Sequence, residues 1–229
     1  HNIYHVFGYG EYNTSREDVR YTKCRNERDL LDKFLDRWMY GGYPDVVTGW
    51  NIAFFDIPYI VKRMNFILGE GAAKKLSPWG FFQERTSNQK FGKEATSLSI
   101  GGISSLDYLE LYKKFTYNQQ ESYRLDAIAE IELGEKKLDY SEYDSLNDLY
   151  VKNHQKYISY NIHDVELIDK LDDKMKLIDL ALTLAYDAKV NYNDVFTQVR
   201  MWDVMTHNHL YDKRIAVPSN VGGFKDEAY

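Results

Sequence analysis

Asp56 closes the hexapeptide Asn51-Ile52-Ala53-Phe54-Phe55-Asp56, and about a hundred residues later Tyr160 and Asp164 stand four apart in Tyr160-Asn161-Ile162-His163-Asp164. A spacing of four puts the tyrosine and the second aspartate on one face of a helix. Two carboxylates with a helper tyrosine suit a divalent-metal phosphodiester hydrolase. Such chemistry must activate a water and stabilise charge on the leaving oxygen, and two divalent ions roughly 4 Å apart can do both. Hard ions such as Mg²⁺ take carboxylate oxygens and keep waters. A tyrosine, with a usual pKa near 10, serves better as a hydrogen-bonding partner than as a strong base.

The elements that must position these groups are legible as periodicities. Val46-Val47-Thr48-Gly49-Trp50 ends a strand expected over Pro44 to Trp50, and it delivers Asp56 to the entrance of a helix over 57–68 in which Pro58 is tolerated at the first turn. Apolar residues from Ile158 through Ile162, Val165, Ile168, Leu171, Met175, Ile178 and Leu182 to Ala185 recur every three or four positions, which predicts one long helix over 157–188 carrying Tyr160 and Asp164. Residues 3–12 and 19–23 read as β-rich. Asn26 caps a helix running to about Tyr40, which Gly41-Gly42 stops. Residues 98–109 read as strand, and helices are expected over 122–134, 145–151 and 193–211. The polar, turn-rich stretch 77–97 reads as an insertion ending in a β-hairpin with its tip near Gly92. Strands first, then strands alternating with helices, predict a mixed sheet flanked by helices.

Composition narrows the class. The 229 residues suffice for one large α/β domain, or a domain with an appendage. No apolar run approaches the roughly 20 residues that span a bilayer, and His1-Asn2-Ile3-Tyr4 is no signal peptide. Cys24 stands alone, so no internal disulfide is possible. The net charge of −6 argues mildly against a generic nucleic-acid-binding module. A metal-dependent nuclease nevertheless needs carboxylates where its ions sit. The 20 tyrosines and 11 phenylalanines offer faces for unpaired bases, although most aromatics belong in cores. Zinc spacing, a phosphate-binding glycine loop and a thiol–histidine pairing are all lacking. Taken singly, Asp56 reads as a helix N-terminal residue favoured by the dipole, and Tyr160 with Asp164 as an amphipathic surface. Phe55 reads as core packing, and Ser122 to Asp126 as capping and packing.

Their ordered pairing changes the weighing. Asn-x-x-x-Phe-Asp followed by a distant Tyr-x-x-x-Asp resembles the second and third motifs of the proofreading 3′–5′ exonuclease of family B DNA polymerases. Asn26-Glu27-Arg28-Asp29-Leu30-Leu31, Thr48-Gly49-Trp50-Asn51, Asp56-Ile57-Pro58-Tyr59-Ile60, Leu106-Asp107-Tyr108, Leu111-Tyr112-Lys113-Lys114-Phe115 and Tyr157-Ile158-Ser159-Tyr160-Asn161 run in the same order as in polymerases of T-even-type bacteriophages. The resemblance implies a ribonuclease-H-like fold. It makes Asp56 and Asp164 ligands of Mg²⁺ or Mn²⁺, with two ions in the complete site, and Tyr160 an orienter of the attacking water. Lys137 matches a family lysine that approaches the scissile phosphate, where a cation offsets developing charge; a solvated loop lysine is the equal alternative. Asn51 would fix its loop or touch the strand end. The hairpin around Phe91, Gly92 and Lys93 resembles an element that separates primer from template.

The implied partners are a single-stranded DNA 3′ end, primer-template and other polymerase segments, with no membrane, in the cytoplasm of a bacterial host. The first exonuclease motif, a strand bearing Asp-x-Glu, is not matched: Glu11, Glu17 and Asp18 are not in that pattern. Residues 1–211 are therefore expected to form an exonuclease domain lacking its first strand, with weak or no activity alone. Residues 212–229, containing Gly222-Gly223, are expected to be a linker toward a polymerase palm. The alternative is a non-catalytic segment that binds DNA or scaffolds a split or truncated polymerase. An Asp-x-Glu strand upstream would separate the two.

Overall fold

The computed structural model describes residues 2–88, 94–135 and 142–216. Phe91, Gly92, Lys93, Lys137 and the expected linker from residue 217 onward lie outside these. Among the described residues six strands pair two by two. β1 (Tyr4–Gly8) runs parallel to β2 (Val19–Lys23), with Tyr4 opposite Val19. β3 (Val46–Gly49) runs parallel to β6 (Ser104–Asp107), with Val46 opposite Ser104. β4 (Phe82–Asn88) and β5 (Glu94–Ile100) form the expected antiparallel hairpin. β-Branched and aromatic residues favour the pleat in β1 to β3.

Helices flank the pairs. α1 (Glu27–Met39) starts where the Asn26 side chain accepts the Asp29 N–H at 3.0 Å. Its Leu31 and Leu35 are buried against Met64 of α2 (Asp56–Leu68) and against Ala73 and Leu76 of a 3-10 turn. The largest core gathers Leu106, Tyr108, Leu111, Tyr112, Ile128, Leu167, Leu171, Ala181, Ala185 and Val195. It lies among α3 (Tyr108–Phe115), α4 (Leu125–Leu133), α6 (His154–Met175) and α7 (Leu177–Ala188), with α5 (Leu146–Lys152) and α8 (Gln198–Asp212) completing the order. No helix among the described residues is long and apolar enough to cross a membrane.

Several boundaries depart from expectation. The stretch 98–109 is not one strand: Gly101-Gly102 breaks it, Gly102 at φ +83°, and α3 begins already at Tyr108. The expected helix over 157–188 is two. Lys176 takes a left-handed conformation (φ +54°), and the Asp172 side chain accepts the Ile178 N–H at 3.1 Å to restart the chain as α7. The helix expected over 193–211 opens as a separate 3-10 turn, Tyr192–Phe196, ahead of α8. The helix expected from Ser122 starts at Leu125.

Among the described residues β1 pairs with β2 alone and β3 with β6 alone. A groove of about 690 Å³ runs between β1 and β3, lined by Ile3, His5 and Phe7 on one side and Val46, Val47 and Thr48 on the other. Among the described residues neither β1 nor β3 has a second strand partner, and an unpaired strand edge is where strand addition can occur.

Candidate functional site

β3 and β6 are parallel, so their carboxyl ends open on one side of the molecule, where parallel sheets place ligands. β3 leads into the Asn51–Phe55 turn and then α2, with Asp56 as its first residue. β6 ends at Asp107, which caps α3. Asp107 is 4% exposed. Its Oδ1 accepts the N–H groups of Asn51 and Leu109, each at 3.0 Å, and its Oδ2 accepts that of Ala53 at 3.3 Å. Asn51 occupies the left-handed region at φ +64°, which asparagine adopts more readily than other non-glycine residues, and these bonds help to hold it there. The Ala53 carbonyl accepts the Leu98 N–H at 3.1 Å, tying the turn to the hairpin as well. The turn that delivers Asp56 is therefore held from both sides. Asp107 lay within a recognised stretch of sequence, yet its part in this site was missed. The available signal was an aspartate at the end of an apolar run and the start of a helical pattern.

Asp56 is open to solvent at the head of α2. Dense protein around its carboxyl raises its pKa above the ordinary aspartate value, and the nearby charge of Asp107 adds to the rise; its backbone hydrogen bond opposes both. Asp107 is itself shifted upward, because burial outweighs the three amide bonds.

Phe55 is not core. It is 65% exposed and its ring lies parallel to that of Tyr59, with an interplanar angle of 8° and centroids 6.5 Å apart; Tyr59 is 60% exposed. An exposed aromatic pair therefore flanks Asp56. Trp50, by contrast, packs on Tyr108 and Tyr112 and donates Nε1–H to the Tyr123 carbonyl at 3.1 Å.

Tyr160 and Asp164 lie on α6, as the periodicity requires. Tyr160 is 7% exposed, and Asp164 is half-buried with its Oδ1 shut off from solvent. α2 and α6 share a cleft of about 340 Å³, walled by Tyr59, Ile60 and Arg63 of the one and His154, Tyr157 and Ile158 of the other. Asp56 lies four residues before Ile60, and Asp164 seven after Tyr157, so each carboxylate extends the helix face that walls the cleft. Arg63 is held by Glu27 through two hydrogen bonds, at 2.6 and 2.5 Å.

Metal fit can be judged from these donors. No group of three His, Cys, Asp or Glu side chains among the described residues could hold an ion. Asp56 and Asp164 supply hard oxygen donors of the right kind, but they fall short of a complete set for two ions. The structure neither joins Lys137 and the hairpin tip to this site nor separates them from it, since both lie outside the described residues.

Comparison with known proteins agrees with this geometry. A profile of the DNA polymerase family B exonuclease domain matches residues 2–128. The chain belongs to the family B DNA polymerases. It is 38% identical over 202 residues to the DNA-directed DNA polymerase of Escherichia phage RB69, covering 88% of this chain and 22% of that protein. It is equally 38% identical, over 200 residues, to the DNA-directed DNA polymerase of Enterobacteria phage T4, covering 87% and 22%. A putative DNA polymerase of Frog virus 3 is 29% identical over 182 residues, covering 76% and 17%. The chain thus spans about a fifth of the length of these relatives and corresponds to a phage-type exonuclease portion. Its mixed α/β architecture is consistent with the ribonuclease-H-like type. Exonuclease domains of this family generally depend on divalent metals.

Proposed function

We propose that this chain carries part of a 3′–5′ proofreading exonuclease that hydrolyses the 3′-terminal phosphodiester of single-stranded DNA. The observation that carries the reading is the placement of Asp56: first residue of α2, on a turn clamped by Asp107, beside an exposed aromatic pair. Phe55 and Tyr59 present faces on which a terminal base stacks without sequence preference. Asn51 fixes the turn below them. Tyr160, one helical turn from Asp164, offers a phenol to orient a water. Lys137 would stand near the scissile phosphate, and the hairpin tip at Phe91, Gly92 and Lys93 would meet the strands being parted.

Asp56 and Asp164 would hold part of a divalent-metal site, in which Mg²⁺ or Mn²⁺ activates water and neutralises charge. The shortfall of ligands supports a site completed by an Asp-x-Glu strand from outside these residues, and the groove between β1 and β3 is where strand addition is geometrically possible. Residues 1–211 would then be the exonuclease unit and 212–229 its link to a polymerase palm. Primer-template and other polymerase segments would be the partners, and a bacterial cytoplasm the place.

The same shortfall favours a second reading, a non-catalytic DNA-binding or scaffold segment. Incubating the chain with a 5′-labelled oligonucleotide and Mn²⁺, with free or blocked 3′ ends, decides between them. The exonuclease reading expects a slow ladder that shortens from a free 3′ end alone. A folded chain that binds the oligonucleotide and gives no ladder supports the scaffold reading, and cleavage indifferent to the 3′ block contradicts the exonuclease.

A further inference from the structure

Two faces of α6 have different duties. Tyr160, Asp164, Leu167 and Leu171 recur at three- and four-residue steps, and Leu167 and Leu171 are fully buried in the largest core. Gln155, Ile158, Ile162, Glu166 and Asp169 recur in the same way on the opposite side of the helix, at 3.6 residues per turn. There Ile158 and Ile162 pack on Val19 of β2 and on Tyr4 and Val6 of β1. The strand pair β1–β2 therefore lies along the back of the helix whose front carries the tyrosine and the aspartate.

Polar contacts fasten that back face at both ends. In the first turn of α6, Asn13 donates its N–H to Gln155 Oε1 at 2.9 Å, and its carbonyl accepts from Gln155 Nε2 at 2.7 Å. Beside this two-bond ring, Gly10 lies so close to the His154 ring that a Cβ would stand 2.4 Å from it. Three turns on, Arg16 forks onto Asp18 at 3.0 and 2.6 Å and reaches Glu166 with its third nitrogen. One turn further, Tyr4 donates its hydroxyl to Asp169 at 2.8 Å, with the Arg16 guanidinium 5.4 Å from the Tyr4 ring centre. Burial first, and the bond to Asp169 next, push the Tyr4 phenol up to about 12, so it remains a donor at ordinary pH. Partly exposed ion pairs add little stability. Their placement matters more: contacts spread from Gln155 to Asp169 grip about 21 Å of helix, and a helix turned about its axis or slipped along it cannot keep them all.

We propose that the β1–β2 segment is a positioning clamp for the exonuclease, with Arg16 and Gln155 as the positioning residues. They set the rotation and register of α6, and so where Tyr160 and Asp164 stand relative to Asp56. The proposal rests on the exonuclease reading and deepens it by naming residues that act on the site from behind. Neither Arg16 nor Gln155 touches substrate; each acts through the helix. Phe55 and Tyr59, which would hold the terminal base, belong to the turn before α2 and to α2 itself, and the clamp does not bear on them.

The test is single-turnover cleavage of a 5′-labelled single strand by the whole chain with Mn²⁺, with folding checked by circular dichroism. In Arg16→Ala/Gln155→Ala we expect the saturating rate to fall roughly tenfold or more, since a misplacement of about 1 Å costs up to about a hundredfold. The oligonucleotide concentration giving half that rate should not change. Arg16→Lys, which keeps a charge facing Glu166, should retain most of the rate. The control Arg25→Ala, which removes an exposed ion pair with Asp29 before α1, should cleave like wild type. A second readout is the distance between spin labels at Lys62→Cys of α2 and Lys170→Cys of α6, both exposed, while Cys24 is buried. Its distribution should broaden in the Arg16→Ala/Gln155→Ala background. A folded double variant with the wild-type distance distribution overturns the clamp. So does a rate lost only through weaker oligonucleotide binding, or an equal loss in Arg25→Ala. Absence of a ladder from the wild-type chain overturns the exonuclease reading alone, and the label distance then decides the clamp.

Discussion

At the residue scale, what matters is which side chains the turn after β3 sets free and which it ties down. Phe55 belongs to a motif whose pattern suggested core packing, but the helical turn at Asn51–Phe55 rotates it outward against Tyr59. Replacing Phe55 by alanine should cost about 1–3 kcal/mol in binding of a single-stranded oligonucleotide, the usual worth of one stacked base. It should leave thermal stability nearly unchanged, because an exposed ring loses little by truncation. Calorimetric titration with an oligonucleotide, alongside a melt, checks both halves. Asp107 is the opposite case. Asp107→Asn keeps the shape but turns an amide N–H either toward the Ala53 N–H or toward those of Asn51 and Leu109, and should destabilise the fold by roughly 1–3 kcal/mol in denaturant titrations. The pH sign follows from its shift. A carboxyl with a folded pKa above the unfolded value takes up a proton on folding, so its contribution is present below pH 3.8 and declines as pH rises through the higher folded value. The Asn variant should lack that component of the stability–pH curve. Asp29 runs the other way. The Arg25 N–H first, and Lys33 next, hold its pKa at about 2, so its contribution is present above pH 3.8 and is lost as pH falls toward 2. The placement of Asp56 at a helix entrance and of Asp164 one helical turn after Tyr160 was legible because residue type and spacing carry it. Asp107 was not, because its role depends on backbone groups fifty residues away in sequence.

At the element scale, periodicity found the helices and misjudged their breaks. The apolar rhythm from Ile158 to Ala185 passes across Lys176 without a glycine or proline to mark the interruption, so the left-handed turn there is invisible to pattern. A lysine at φ +54° costs conformational energy that glycine does not. Lys176→Gly should therefore leave stability unchanged or raise it by up to about 1 kcal/mol, whereas glycine at a helix interior costs that much; a thermal melt distinguishes them. Asparagine caps were read more easily. Asn26 was recognised before α1, and Asn153 does the same for α6, accepting the Lys156 N–H at 3.0 Å. Asn153→Ala should cost about 1 kcal/mol and fray the turn that precedes Tyr160. The strand expected over 98–109 failed for a tertiary reason. Gly101 and Gly102 let the chain pass under Phe81 and Trp79, so the hairpin ends and β6 begins as a separate strand.

At the scale of the whole molecule, the mixed α/β class followed from the order of strand and helix signals, and family membership from ordered motifs that no single residue would have secured. The pairing of strands was not legible, since the sequence of one strand does not name its neighbour. Among the described residues neither parallel pair has a further strand partner, and the proposed site would be completed by strand addition. A synthetic peptide with an alternating apolar pattern and an Asp-x-Glu sequence should bind the groove between β1 and β3 and raise the melting midpoint with the logarithm of its concentration above the dissociation constant. No shift at saturating peptide would argue against strand completion. The central claim is that Asp56 and Asp164 are the exonuclease carboxylates of this chain. Its most direct test is single-turnover degradation of a 5′-labelled single strand with Mn²⁺ by wild type, Asp56→Ala and Asp164→Ala. The account predicts a slow 3′-to-5′ ladder from wild type that disappears in either variant. A ladder of wild-type rate in both variants would contradict it.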